Sequence, residues 1–167
     1  SYQLLNTAKR LGSNLSIIES SRKINEKMPE HVIKLTADAF EECNKSMQNS
    51  SILILGISYK PNVKDIQLTP AKKIINKLQD LGAKIYIYDP YFKSEEVFGV
   101  RIEDNIESII QNIDASIIVT AHDEFKKLEI PLFSKMRNPI LIDTRGIVDP
   151  LSAKETKLIF RGLGRGE

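Results

Sequence analysis

The stretch ILILGISYKPNVKDIQLTPA, residues 52–71, decides the fold. Its first four residues are a bare apolar run rich in isoleucine, which reads as a strand buried on both faces. Gly56 breaks the run, and a loop carrying Lys60 follows. Thr69-Pro70-Ala71 then opens a helix, with Thr69 as the N-cap candidate and Pro70 at the first helical position. Strand, glycine turn, exposed lysine and proline-started helix, in that order, put an anion-meeting loop at the carboxyl edge of a parallel sheet.

Toward the C-terminus the same alternation continues. The pattern predicts a helix over 71–81 closed by Gly82, where a C-cap glycine belongs, and a strand over 84–88 closed by Asp89-Pro90. It further predicts a helix near 105–111, a strand over 115–120, a short helix near 124–128 and a strand over 140–143. Residues 157–160 form a last strand before a glycine-rich tail. Strands alternating with helices predict an α/β chain with a Rossmann-like, doubly wound parallel sheet.

Toward the N-terminus the character changes. Between residues 14 and 48, Ile17, Ile24, Met28, Val32, Leu35, Ala39 and Cys43 recur in steps of three, four and seven, drawing one helical stripe with charged residues on the other faces. Pro29 predicts a boundary or kink there. A helical segment this long must lay its stripe on another domain or another subunit. The polar break Asn49-Ser50-Ser51 then divides the chain into a helical segment, 1–48, and an α/β domain, 49–167.

At 167 residues the chain suffices for one core, or one core with an appendage. Lys+Arg 24 against Asp+Glu 22 gives a net charge of +2 with the signs interspersed, so no basic face suggests a nucleic-acid partner. The lone cysteine, Cys43, excludes a disulfide framework and a multi-cysteine metal site, and reads as a small apolar residue on a helix face. No apolar run of membrane-spanning length and no signal peptide is visible, so a cytoplasmic protein without a membrane partner is the expectation. The chain opens on Ser1-Tyr2 with no initiator methionine, and is expected to be cut from something larger.

The chemistry-bearing residues are few. After Gly56, the run Gly-Ile-Ser-Tyr-Lys-Pro lacks the second and third glycines of the dinucleotide fingerprint, so a full NAD site within these residues is not expected. The turn is either an ordinary strand-to-helix connection or a place where Lys60 meets a phosphate or sugar hydroxyl. Asp89 either holds a ribose or starts a turn. The tail Phe160-Arg-Gly-Leu-Gly-Arg-Gly166 either gathers guanidinium and N–H groups around an anion or is a frayed basic end. His122 falls just after a strand end, where α/β sites gather ligands, whereas His31 reads as a surface or interface residue, and the two have no metal-ligand spacing. With no nucleophile elbow and no paired carboxylates, the residues alone describe an anion-recognising domain without catalytic machinery.

Five segments, in order, resemble the UDP-glucose/GDP-mannose dehydrogenase family across almost the whole chain. Ile24-Asn-Glu-Lys-Met-Pro29 resembles that family's "N-x-x-M-P" in its long central helix. Gly56-Ile-Ser-Tyr-Lys-Pro-Asn62 with Asp65 and Thr69-Pro-Ala71 resembles "G-x-x-[YF]-K-x-[ND]…D-x-R-x-[ST]-P-[AS]". Tyr88-Asp-Pro90 resembles "Y-D-P", and Asp143-Thr-Arg145 and the closing Gly-x-Gly-Arg-Gly resemble the last strand and tail.

The resemblance implies an NAD-dependent nucleotide-sugar 6-dehydrogenase, in which this chain supplies the homodimer-building helix and the C-terminal domain that holds the UDP-sugar. On that resemblance Tyr59 and Lys60 contact the UDP-sugar, and Arg161 reaches the substrate. The family's "D-x-R" arginine, which reaches toward NAD, is Gln67 here, so that cofactor contact is missing from this domain. Such enzymes carry out two hydride transfers to NAD through a thiohemiacetal and a thioester on a cysteine in "G-G-x-C…D-P-Y". Tyr2 looks like the tyrosine ending that segment, which places the cysteine just before residue 1. The family's N-terminal glycine fingerprint, catalytic lysine and central asparagine are likewise absent. The expectation is a C-terminal portion with no catalytic residue of its own, inactive alone. The wording of 120–125 leans to UDP-N-acetylmannosamine as substrate, the alternatives being UDP-glucose or a stand-alone nucleotide-binding module.

Overall fold

The computed structural model describes residues 2–165. Its centre is β1 (Ser51–Leu55), every residue of which is buried. β2 (Lys84–Tyr88) pairs on one side and β5 (Ala115–Ile118) on the other, followed by β6 (Ile140–Asp143) and β7 (Ile159–Gly162). All four pairings of this β2-β1-β5-β6-β7 sheet are parallel. A short antiparallel hairpin, β3 (Glu96–Val97) with β4 (Val100–Arg101), leads into Ile102, which bridges Ile87 on the outer side of β2.

Alternate residues of each strand feed opposite layers. Ile52, Ile54, Ile87, Ile117, Ile140 and Ile142 face one core, Leu53, Leu55, Ile118 and Leu141 the other. Burial on both faces is why these strands read as unbroken apolar runs. The first core is covered by α3 (Ala71–Asp80), which buries Ala71, Ile74, Ile75 and Leu78. The Thr69 hydroxyl accepts the Ala71 N–H at 3.2 Å where the helix starts. Gly82, at φ +82°, closes it with the Ala83 N–H donating to the Leu78 carbonyl at 3.0 Å.

The second cover is α2 (Ser16–Glu42), a single 27-residue helix that runs through Pro29 without interruption. The expected boundary is therefore absent. Proline removes one helix hydrogen bond and costs roughly 3 kcal/mol. The C-terminal half of α2 buries Val32, Ile33, Thr36, Ala39 and Phe40, and Pro29 is itself buried, which outweighs that local cost. The stripe read from the sequence is only half used. Val32 and Ala39 are buried, but Ile17 is 81% and Ile24 65% exposed. Against this free half lies α1 (Tyr2–Arg10), where the Tyr2 hydroxyl donates to Glu26 at 2.8 Å and the Arg22 guanidinium sits 3.4 Å from the Tyr2 ring centroid.

Other differences from the sequence reading are local. In place of a helix over 105–111 there are turns and a 3-10 segment, Ile110–Asn112. The Asn105 side chain takes the Glu107 N–H at 2.7 Å, competing with a helical start, and Ile106, Ile109 and Ile110 are poor helix formers that still pack into the core. The short helices α4 (Ile130–Phe133) and α5 (Pro150–Lys154) were not legible, and β7 begins two residues later than 157. No helix among the described residues is long and apolar enough to cross a membrane.

Candidate functional site

The strand order reverses direction at β1: the chain passes from β1 to β2 on one side, then returns to β5 and continues outward to β7. At such a reversal the loops leaving neighbouring strands part, and a crevice opens at their carboxyl ends. Gly56 stands at this point with φ +82°, and a Cβ there would lie 2.6 Å from Thr120 Cβ. The exits of β1 and β5 therefore touch backbone to side chain. The Thr120 hydroxyl donates to the Ser58 carbonyl at 2.6 Å, and the Gly56 N–H to the Tyr88 carbonyl at 2.9 Å.

Beneath the loop that follows lies a buried pair, Asp89 and His122, each fully inaccessible. Asp89 Oδ2 accepts the Ile57 N–H at 2.8 Å and the Ser58 hydroxyl at 3.3 Å, and lies 3.2 Å from His122 Nε2. Its Oδ1 accepts the Tyr91 N–H at 2.9 Å. Burial pushes the Asp89 carboxyl up, but the hydrogen bonds from His122 and the N–H groups of Ile57 and Tyr91 together hold it below the usual carboxylate range. The carboxylate is committed inward, so it acts here as the anchor of a turn and not as a ribose acceptor.

His122 Nδ1 accepts the Asn62 N–H at 2.9 Å. A ring nitrogen that accepts cannot carry the proton, so the hydrogen-bond network assigns the neutral Nε2–H tautomer, donating to Asp89. The ring is packed against Tyr91 (centroids 5.0 Å apart) and edge-on to Phe125 (5.3 Å). Asn62 is held twice more: its Nδ2 donates to Asp123 Oδ2 at 2.7 Å, and the Asp123 N–H donates to its Oδ1 at 3.1 Å. Hydrogen bonds from Lys126 and Asn62 keep the Asp123 carboxyl below its ordinary value.

The loop over 57–62 is thus fastened at both ends, and its crest carries Tyr59, 49% exposed, and Lys60, also exposed. The Tyr59 N–H closes a wider turn onto the Asp65 carbonyl at 2.7 Å. Beside it an open depression of about 420 Å³ is lined by Asn62, Pro90, Tyr91, His122, Asp123 and Glu124.

The structure does not bring Arg161 to this crest. It lies on β7, three strand spacings or roughly 14 Å from β1, with its guanidinium paired to Glu42 of α2. Arg165 donates to the carbonyls of Gly146 and Val148 at 2.8 and 3.0 Å. That loop is also held from within, since Asp143 accepts the N–H groups of Arg145, Gly146 and Val148. The two tail arginines therefore brace the fold at separate places, and Gly166 of the tail lies outside the described residues.

A dinucleotide pyrophosphate needs a glycine cradle opening directly onto a helix N-terminus. Here α3 starts only at Ala71, and the space left by Gly56 is filled by Thr120. The described residues do not fit that group. Cys43, at the end of α2, is partly buried, and burial together with Glu42 pushes its thiol up, away from a reactive thiolate. Among the described residues no three His, Cys, Asp or Glu side chains cluster as metal ligands.

The sequence singled out Asp89 and His122 separately but not their pairing, nor Asn62 and Asp123. Leu55 is in register with both Tyr88 and Ile118, so the chain leaves β2 and β5 on either side of the β1 exit. The pairing becomes readable only once that strand order is known.

Residues 53–150 match the family model described as the UDP-glucose/GDP-mannose dehydrogenase family, UDP binding domain. The chain is 32% identical to a UDP-N-acetyl-D-mannosamine dehydrogenase of Pyrococcus horikoshii over 99% of its own length and 37% of the relative's. It is 29% identical to the UDP-glucose 6-dehydrogenase TuaD of Bacillus subtilis, over 97% and 35%. The crystal structure of an NDP-N-acetyl-D-galactosaminuronic acid dehydrogenase from Methanosarcina mazei superposes with a TM-score of 0.85 at 28% identity, over 99% of this chain and 36% of that one. The chain thus spans little more than a third of the length of these relatives. The family match takes in β1, β2, β5 and β6 and the loops that frame the crevice, and with it the chain belongs to the UDP-glucose/GDP-mannose dehydrogenase family.

Proposed function

We propose that the crevice above β1 and β5 holds the UDP moiety of a nucleotide sugar, as the UDP-binding portion of an NAD-dependent nucleotide-sugar 6-dehydrogenase. The observation that carries this reading is the 57–62 loop, pinned at both ends over the strand-order reversal, with Tyr59 and Lys60 free at its crest. Lys60 supplies a mobile positive charge for a phosphate, and Tyr59 a ring with a hydroxyl for the nucleoside or sugar. Arg161 joins the substrate contacts on exchanging its Glu42 partner for the ligand.

Calorimetric titration with UDP tests this. A hydrogen bond to a charged group contributes about 1.5–3 kcal/mol, so Lys60→Ala is expected to weaken UDP by about 10- to 100-fold. Equal affinity of variant and wild type would remove Lys60 from the site.

The names of the relatives support UDP-N-acetylmannosamine as the substrate, oxidised at C6 to the uronate, with UDP-glucose as the second reading. NAD is the cofactor of the proposed reaction, yet Gln67 stands at the family's arginine position and the described residues offer no pyrophosphate cradle. Burial and the nearby Glu42 push the Cys43 thiol up, which does not suit it to be the nucleophile of the proposed reaction.

The same reading makes the chain a homodimer through the long helix α2, whose Ile17 and Ile24 are exposed, as are Leu4 of α1 and Leu11 just after it. Light scattering should give twice the 18.9 kDa chain mass. The Ile17→Glu/Ile24→Glu double variant should give the single mass, and a monomeric wild type at high concentration removes the interface.

A further inference from the structure

We propose that His122 is the positioning residue of this site: as the neutral Nε2–H tautomer it joins buried Asp89 to the Asn62 N–H and so fixes the shape of the 57–62 loop. The inference rests on the reading that Tyr59 and Lys60 meet UDP.

The loop has two fastenings. At its start, the Ile57 N–H and Ser58 hydroxyl end on Asp89 Oδ2. At its end, the Asn62 N–H ends on His122 Nδ1. These are not independent, because His122 Nε2 lies 3.2 Å from that same Oδ2. One oxygen atom and one imidazole ring therefore span the distance between the loop's first and last anchor, and the crest residues are suspended between them.

The second observation is what the ring does not do. With the imidazole fully buried, both nitrogens engaged, and Tyr91 and Phe125 packed around it, the ring has no exposed surface to offer a ligand. Its effect on binding passes through Asn62. The third is that Asn62 sits at φ +60°, a left-handed conformation that asparagine adopts more readily than other residues with a side chain because its amide bonds locally. The bonds to His122 and to Asp123 hold it there. Without the Nδ1 acceptor the Asn62 N–H is left unpaired and the αL turn is no longer favoured, so Lys60 samples several positions.

Two substitutions separate positioning from packing, because each amide copies one ring nitrogen. His122→Asn places an acceptor oxygen where Nδ1 was and keeps the Asn62 bond. His122→Gln places a donor where Nε2 was and keeps Asp89 supplied, but leaves Asn62 without an acceptor. The expected result is UDP affinity within about threefold of wild type for His122→Asn and weaker by about tenfold or more for His122→Gln. Amide exchange at Asn62, followed without ligand by NMR, is expected to quicken about tenfold or more only in His122→Gln.

Equal behaviour of the two variants in affinity and exchange would reduce His122 to a packing residue and overturn the proposal. Should either variant fail to fold, the imidazole nitrogen shifts of the wild-type chain at neutral pH decide alone. An unprotonated Nδ1 with a protonated Nε2 supports the assignment, and a Nδ1–H tautomer or an imidazolium overturns it. If the exchange pattern follows expectation while Lys60→Ala binds UDP as well as wild type does, the latch stands and the UDP reading of the crest falls.

Discussion

Gly56→Ala is expected to lower the unfolding free energy by about 2–5 kcal/mol. Two effects add. An alanine at φ +82° sits in the left-handed region, which costs about 1–2 kcal/mol. Its Cβ would also lie 2.6 Å from Thr120 Cβ and 3.0 and 3.1 Å from the Thr120 carbonyl oxygen and amide nitrogen, and overpacking of this kind costs about 1–3 kcal/mol. Thr120 cannot retreat cheaply, because its hydroxyl donates to the Ser58 carbonyl at 2.6 Å. Gly99→Ala isolates the first effect: φ is +74° there, but no atom lies within 4 Å of the added methyl. Urea unfolding of the two variants should therefore differ by the clash alone. If Gly56→Ala loses no more than Gly99→Ala, the exits of β1 and β5 are not in the contact described.

Asp89→Ala should cost about 3–5 kcal/mol, again by urea unfolding. It strands the N–H groups of Ile57 and Tyr91, the Ser58 hydroxyl and His122 Nε2–H, all built around one carboxylate. A buried donor left unpaired costs about 1–3 kcal/mol, and relaxation recovers some of the total. Asp89→Asn keeps one acceptor oxygen and should lose less. Acid titration gives a second reading of the same residue. Since the folded carboxyl lies below its ordinary value near 3.9, Asp89 contributes stability fully above about pH 4 and loses it as pH falls through the folded value. Asp89→Asn should flatten that acid limb, and an unchanged limb would mean the carboxylate gains nothing from its partners.

The sequence was most legible where one physical signal dominated. The uninterrupted apolar runs of β1 and β6 can only be strands covered on both faces, and Thr69-Pro70 with Gly82 marks the ends of α3 within a residue. It was least legible where two tendencies competed. Pro29 argued for a break, yet the burial of Val32, Ile33 and Phe40 keeps α2 whole. A helix is expected from the sequence near 105–111, but Ile106 and Ile110 are buried there in turns and a 3-10 segment, with the Asn105 side chain taking the Glu107 N–H.

The site divides along the same line. Lys60 could be singled out because a lysine after a strand-ending glycine is a local pattern, whereas Tyr59 stands out only through the family resemblance. The Asp89–His122–Asn62 chain joins three loops, and its residues come together only when β2 and β5 are known to flank β1. Arg161 is tied over a still longer range: its guanidinium pairs with Glu42, on a helix more than a hundred residues earlier.

Because α2 is continuous, it has a mechanical role that two shorter helices could not fill. Its 27 residues make a strut about 40 Å long. One half is cemented into the sheet's first core, and the other carries Ile17 and Ile24 in the open. At the far end of the strut Glu42 pairs with Arg161 on β7. A single unbroken helix thus joins the exposed isoleucines to the edge strand of the sheet.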